Sequence, residues 1–303
     1  MAKKILFIGG TRFFGKLIVR ELLDKGHGVT VLTRGRQPTI GRRTNFHHIQ
    51  CDRQDGAALE SALGGQEFDA VIDNVCYLPA DAEQAVKIFS GRCRRYIFTS
   101  SVMSYLNLPL TKRPVTEQDW ASARSTSGLE QQYEAKELEY AQNKRESEQI
   151  ILEATEFKPI IFRLHNVVGK NDFSGKSRLL AKRLCNDDGN IRMVGSSGDL
   201  YQQVFADDLA LIYCRATDLP TNTLADAYNV AAPAITVIDY IKLLGAALGT
   251  GSAVDFLNDD GEGVLARGVP YPKNIVLDCS LLQQDFKFTF TGYEDFLPYI
   301  ANQ

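Results

Sequence analysis

The chain has 303 residues, 44% of them hydrophobic, 10% aromatic and 23% charged, with 34 Lys+Arg against 37 Asp+Glu and a formal net charge of -3. At a prior of roughly 150 residues per domain this is one large domain or two modest ones, which excludes a fibre, a small disulfide scaffold and a largely disordered chain. The negative balance argues against an overall basic surface built to neutralise nucleic-acid phosphates.

In chain order, residues 5–8 form a short apolar run halted by Gly9-Gly10, and residues 16–25 carry Leu17, Val19, Leu22 and Leu23 among charges until Gly26. Residues 29–32 are apolar and β-branched, so the segment reads as strand, glycine turn, helix and strand, a βαβ unit of the ~30 residues such a unit takes. Strand signals recur at 48–50, 70–74, 95–99 and 159–164, with helical stretches at 57–63, 80–89 and, long and charged, 130–155. The polar stretch 111–128 reads as a long loop, of the kind that is usually functional or mobile. Beyond Asn166 the pattern loosens into Gly and Asp clusters, with Ala227–Val230 as one further sheet strand.

Apolar strands alternating with helices predict an α/β fold, a doubly wound parallel sheet (Rossmann) with a smaller interleaved C-terminal substrate lobe. Residues 1–165, with a returning segment about 203–232, are expected to bind a dinucleotide; residues 166–202 and 233–303 are expected to face the substrate. The six cysteines, Cys51, Cys76, Cys93, Cys185, Cys214 and Cys279, show no CxxC pair and no His at ligand spacing, so reduced thiols and no metal are expected. KKILFIGG is too short for a signal core and no run reaches ~18 apolar residues, so a cytoplasmic protein without a membrane span is expected.

Gly9-Gly10-Thr11-Arg12-Phe13-Phe14-Gly15 lies between a strand and a helix, where a dinucleotide pyrophosphate rests on helix N-terminal amides. Gly9, Gly10, Thr11, Arg12, Phe14 and Gly15 are therefore candidate cofactor residues. A carboxylate at the end of the second strand would accept bonds from both hydroxyls of a plain ribose; here that place is Thr33, followed by Arg34 and Arg36. Guanidinium groups there can clamp a 2′-phosphate, so NADP is expected over NAD, with NAD possible. Tyr140 and Lys144 lie four apart on the long helix and share a face, where the ammonium can approach the phenol and lower its pKa from ~10. Ser101 falls at the carboxyl edge of the sheet, where ligands of such folds bind.

Glycine turn, strand-end Ser and Tyr-x-x-x-Lys, in that order, resemble the short-chain dehydrogenase/reductase superfamily over essentially the whole chain. The string Tyr140-Ala-Gln-Asn-Lys144-Arg-Glu-Ser-Glu148 is similar to its extended, NAD-dependent epimerase/dehydratase branch. The resemblance implies an enzyme in which Ser101 holds the substrate oxygen, Tyr140 is the acid/base, and Lys144 tunes Tyr140 and holds the nicotinamide ribose. It implies that Asp52 and Arg53 lie at the adenine, that Asn74 and Val75 line the middle of the cofactor, and that His165 lies beside the nicotinamide. Asn166, in Arg163-Leu164-His165-Asn166-Val167-Val168-Gly169, would touch the diphosphate of a nucleotide-sugar substrate. Asp208 is expected to cap a helix. Tyr271-Pro272-Lys273-Asn274-Ile275-Val276-Leu277-Asp278 is similar to a string of dTDP-4-ketosugar reductases and hints at net reduction, with epimerisation left open. A homodimer is implied by the same resemblance.

Two departures stand out. Arg12 replaces the middle glycine of the family's GxxGxxG, and the resulting GGTRF turn also resembles an atypical subgroup that includes chloroplast stem-loop RNA-binding proteins. A catalytically drifted dinucleotide- or RNA-binding protein is thus the alternative, opposed by the net charge and by the intact Ser101, Tyr140 and Lys144. Tyr201-Gln202-Gln203 occupies the region where such epimerases place an Arg for the substrate phosphate. Lys170, Lys176, Arg178, Lys182 and Arg183 are the cations at hand, and a run of this kind is most often a solvated helix face.

Overall fold

The computed structural model describes residues 1–35, 43–106, 108, 114–122, 129–130, 133–173, 176–186, 190–194, 196–257 and 275–301. The first part of the chain alternates regularly: β1 (Lys4–Ile8), α1 (Phe13–Asp24), β2 (Gly28–Thr33), β3 (Phe46–Gln50), α2 (Gly56–Leu63), β4 (Ala70–Asp73), α3 (Pro79–Phe89), β5 (Arg95–Ser101), α4 (Ala135–Leu152) and β6 (Lys158–Leu164). There follow β7 (Asn166–Val168), α5 (Lys176–Asn186), β8 (Asn190–Val194), β9 (Leu200–Tyr201), β10 (Gln203–Phe205), α6 (Ala206–Asp218), β11 (Ala227–Val230), β12 (Ile235–Thr236), α7 (Val237–Leu248), β13 (Ala253–Leu257), α8 (Ser280–Phe286) and α9 (Tyr293–Ala301).

Seven strands form one parallel sheet in the order β11-β6-β5-β4-β1-β2-β3. β1 sits between β2 and β4, with Ile5 opposite Val29 on one side and Ala70 on the other. Its residues 5–8 are fully buried because both faces are covered, which is why an uninterrupted apolar run makes this strand. Ile5 and Phe7 join Ile18, Val19 and Leu22 of α1 in one core, while Leu6 and Ile8 join Leu59, Val71 and Phe98 in the other. α1 packs against α6 on the first face and α3 against α4 on the second. The chain leaves β1 for β2 on one side and returns for β4 on the other. A crevice opens outside the carboxyl ends of the strands at such a reversal.

The doubly wound fold is thus as expected, with shifted element bounds. α1 starts at Phe13, earlier than its apolar periodicity suggests, because the turn itself leads into the helix. α4 is shorter than the 130–155 expected: Glu134 and Glu137 form a capping box at its start, and it closes at Leu152. Part of the 111–128 loop is a 3-10 turn, Glu117–Ser122. Residues 111–113 and 123–128 of that loop, Arg36, the Gly and Asp clusters at residues 187–189 and 258–263, and the Tyr271 to Asn274 part of the late string lie outside the described residues. Among the described residues, no helix is long and apolar enough to cross a membrane.

Candidate active site

The glycine turn explains itself in backbone terms. Gly9 and Gly10 have φ of 97° and 77°, and a Cβ on Gly10 would lie 2.7 Å from the Phe7 ring and 2.9 Å from Val19. Arg12, in place of the middle glycine, adopts ordinary extended backbone at φ -123° as the N-cap of α1. No glycine is required there; the left-handed residue is instead Phe13, at φ 44°. Gly15 packs the helix onto the turn, a Cβ there meeting the Gly10 Cα at 3.0 Å, and does not itself line the cleft above.

That cleft has a volume of about 750 Å³, within the range of small-molecule sites. Gly9, Gly10, Thr11, Arg12 and Phe14 line it from the turn, Arg34 and Asp52 from the ends of β2 and β3, and Asn74 and Val75 from the end of β4. Ser101, Tyr140, Lys144 and His165 line its other part. Arg53 also touches the cleft, but its guanidinium is spent within the protein, on Asp73 and, at 2.9 Å, on Asp81. Burial, the largest single influence, would lower the Arg53 pKa, and Asp73, Tyr96, Cys76 and Asp81 together outweigh it and raise the pKa. Asp73 is fully buried and also accepts bonds from the Tyr96 hydroxyl (2.7 Å) and the Val75 amide (3.0 Å). Arg53 therefore organises the loop after β4 while lining the cleft.

Ser101 closes β5, its hydroxyl accepts the Met103 amide at 3.2 Å, and it shares the cleft lining with the Tyr140 phenol. Burial pushes Tyr140 up to about 12, the neighbouring Ser101 hydroxyl offsetting part of this and Tyr77 adding to it. The expected lowering by Lys144 is not what the structure has. Lys144, 2% exposed, donates to the carbonyls of Cys76 and Thr99, both at 2.8 Å, and its ammonium lies 5.9 Å from the Tyr140 ring centroid. Those carbonyls and the faces of Phe98 and Tyr77, at 4.7 and 5.0 Å, take its charge, while burial lowers its pKa to about 8.

His165 is neutral: burial lowers its pKa to about 4, against a weaker bond to the Ile275 backbone, and its Nδ1 accepts the Asn166 amide at 2.8 Å. Asn166 is exposed and lies off the cleft lining, close enough to the Tyr201 hydroxyl to pull down its burial-raised pKa. Asp208 does not cap α6. Phe205 holds that place, and Asp208 lies inside the first turn, accepting the Thr291 amide (2.9 Å) and hydroxyl (2.7 Å) from the chain's end. Lys170 and Lys182 are exposed and Arg183 half-buried; the side chains of Lys176 and Arg178 lie outside the described residues. At the amino ends of the strands, His27, Cys214 and Asp218 bring ligand atoms within 4.8 Å of one another. The Lys3 amide donates to His27 Nδ1 at 3.2 Å, so Nε2 keeps the proton it turns toward Asp218 and has no lone pair for an ion.

A strand-end serine, and a tyrosine and lysine one turn apart on a helix, thus meet beside the glycine turn on one cleft lining. Residues 5–231 fit the model of the NAD dependent epimerase/dehydratase family. The chain belongs to that family. It is 31% identical over 137 residues to the chloroplast stem-loop binding protein of 41 kDa b of Arabidopsis thaliana, covering 41% of this chain and 35% of that protein. It is 30% identical over 127 residues to the 2'-dehydrokanamycin reductase of Streptomyces kanamyceticus, covering 42% and 35%. The chain spans about a third of the length of these curated relatives. Among solved structures, the Bordetella bronchiseptica enzyme WbmH in complex with NAD+ superposes with a TM-score of 0.75 at 19% identity over 100% of this chain and 98% of that one. A UDP-glucose 4-epimerase from Thermotoga maritima with UDP-glucose gives 0.70 at 16% identity over 99% and 97%. At such identities the likeness is one of fold.

Three features of this epimerase/dehydratase family member carry no role in the sequence motifs. Tyr77, 51% exposed, adds a second phenol beside Tyr140 and Lys144. Glu148, fully buried one turn beyond Lys144 on the same helix face, accepts from Ser100 and, at 2.8 Å, from Arg163. Arg163 donates on to the Tyr105 hydroxyl (2.8 Å), which donates to Asn229 (2.6 Å), so β5, α4, β6 and β11 are tied together directly beneath Ser101. The spacing Tyr140, Lys144, Glu148 was the available signal, since residues four apart share a face. The third is Phe173, on the cleft lining.

Proposed function

We propose that this protein is an NAD(P)-dependent oxidoreductase acting on a hydroxyl or ketone of a sugar, probed first as a nucleotide-linked sugar, with NADP as the preferred cofactor. The observation that carries the reading is the meeting of Ser101, Tyr140 and Lys144 on the lining of a cleft floored by the glycine turn. The residues present fit a dinucleotide: Gly9 and Gly10 leave the backbone bare at the N-terminus of α1, where amides and helix dipole attract phosphate. Arg12 and Asp52 would flank it, and Arg34 would meet a 2′-phosphate. No carboxylate replaces Thr33, whose hydroxyl accepts the Gly35 amide at 3.2 Å and pairs with His48 at 2.8 Å. When bound, the nicotinamide would accept or supply the hydride.

The chain's own groups move the proton. Ser101 holds the substrate oxygen, and Tyr140, kept protonated at neutral pH by its raised pKa, donates from its hydroxyl to the oxygen as negative charge develops. Lys144, still largely charged near neutral pH, supplies positive potential behind the phenol. A protonated phenol suits ketone reduction, in keeping with the reductase among the relatives; the UDP-glucose neighbour supports a nucleotide-sugar. Residues 1–165 with 203–232 would hold the cofactor and the remainder the substrate, and a homodimer follows from family resemblance alone.

The test is thermal stability with saturating NAD, NADH, NADP and NADPH, followed by turnover of Tyr140→Phe. The expected result is a melting-point rise, larger for the phosphorylated pair, and a variant that binds cofactor while losing a factor on the order of 10² to 10⁴ in rate. Salt-sensitive RNA binding with no response to any nicotinamide cofactor would overturn the reading.

A further inference from the structure

Two aromatic rings that the proton chemistry does not use meet on the cleft lining. Phe13 opens α1 in the left-handed region, at φ 44°, which a bulky side chain rarely adopts. Such strain persists where the surroundings over-determine it, and it gathers at ligand clamps. The Phe13 ring packs edge-on against Phe14 at 5.5 Å and against Phe173 at 6.1 Å, the latter pair at 83°. Phe173 arrives from a different segment, the turn after β7, and at 72% exposure it is the most exposed large apolar side chain after Met1 among the described residues.

The presentation of Phe173 is built into that turn. The Asp172 amide donates to the Gly169 carbonyl at 3.2 Å, and Asn171 takes the left-handed φ of 66° that the turn needs. Asp172 is only 5% exposed. Gly169 seats the turn against α6, where a Cβ would come within 2.8 Å of the Ala206 Cβ. A buried acid and a close-packed glycine thus pin the backbone that leads into a ring left in water against the cleft.

We propose that Phe13 and Phe173 form an aromatic clasp over a dinucleotide bound in this cleft, Phe173 being a cofactor-binding residue that slows the cofactor's departure. This rests on the cofactor reading above. A dinucleotide offers flat heterocycles and the carbon faces of its riboses, and an edge-on ring pair keeps a ring face open to pack on them. Because the two rings come from separate segments, the ligand leaves only when they part, so the effect falls on dissociation. A catalyst that returns hydride to its substrate gains from such retention, whereas a reductase turns over no faster than the clasp opens.

The experiment is stopped-flow fluorescence of bound NADPH and NADH, chased with excess oxidised cofactor, in the wild type, Phe173→Ala and Phe173→Tyr. Phe173→Ala should speed dissociation by about tenfold with association changed less than about twofold, and Phe173→Tyr should keep the wild-type rate. Phe13→Leu, which loses the ring from the other side, should match Phe173→Ala. Since Phe173 packs little in the core, its variants should melt with the wild type when no cofactor is added. Equal dissociation rates in the wild type and Phe173→Ala overturn the clasp and leave the cofactor reading standing; failure of the wild type to bind either cofactor overturns both.

Discussion

Lys144 carries its charge in a nearly dry site whose nearest acceptors are two carbonyls, and this makes a pH-dependent stability that can be isolated. Its pKa is about 8 in the fold, lowered chiefly by burial, against 10.5 in the unfolded chain. Between these values the unfolded chain binds more protons, so stability rises with pH across that window; below about 8 both states are protonated and the contribution is flat. A separation of about 2.5 pH units corresponds to about 3 kcal/mol, of which roughly 2 to 3 kcal/mol is gained by pH 10. Many buried tyrosines act in the opposite sense in the same range, which is why the wild type is compared with Lys144→Met, where they cancel. Loss of the two carbonyl bonds shifts the variant by an amount independent of pH. Urea unfolding of both proteins at pH 7, 8, 9 and 10 should show the wild type gaining on the variant above pH 8. A difference flat to within about 0.5 kcal/mol would refute an ammonium held at the cost of desolvation.

Arg34→Ser should weaken NADP binding at least about tenfold and leave NAD within about twofold, read by titration calorimetry. Glu148→Ala leaves Arg163 buried without its partner and should cost about 3 to 5 kcal/mol in urea unfolding, while Glu148→Met with Arg163→Met should recover much of it. Gly10→Ala, with a Cβ 2.7 Å from Phe7 at a φ of 77°, should cost roughly 1 to 3 kcal/mol and abolish the melting-point response to cofactor.

The sheet was legible because its strands are apolar on both faces and punctuated by glycine and charge, a pattern with a short physical range. Ser101, Tyr140 and Lys144 were legible as a group since strand end and helix spacing aim them at one place. What spacing did not carry was which acceptor each polar group takes. Lys144 shares a face with Tyr140, yet it bonds carbonyls contributed by Cys76 and Thr99. Arg53 sits beside Asp52, yet Asp73 and Asp81 claim its guanidinium from distant segments. Asp208 looked like a cap because it lies near a helix start, and its partner Thr291 is far along the chain. Such pairings depend on tertiary proximity, which local periodicity does not encode.

The late position of β11 also shapes how the sheet is assembled. During synthesis β6 is complete at Leu164, but its outer neighbour, Ala227–Val230, follows only after the rest of β7 to α6 has been made. For that interval Lys158–Leu164 is an edge strand, with buried-type residues and unpaired amides facing outward. Asn229, which accepts from Tyr105 and so completes the chain running from Glu148 through Arg163, is missing until the same moment. A ribosome-bound chain stalled before Val230 should therefore present an adhesive edge and an unfinished polar core at once, and arrest sequences placed before and after that strand should differ sharply in chaperone dependence.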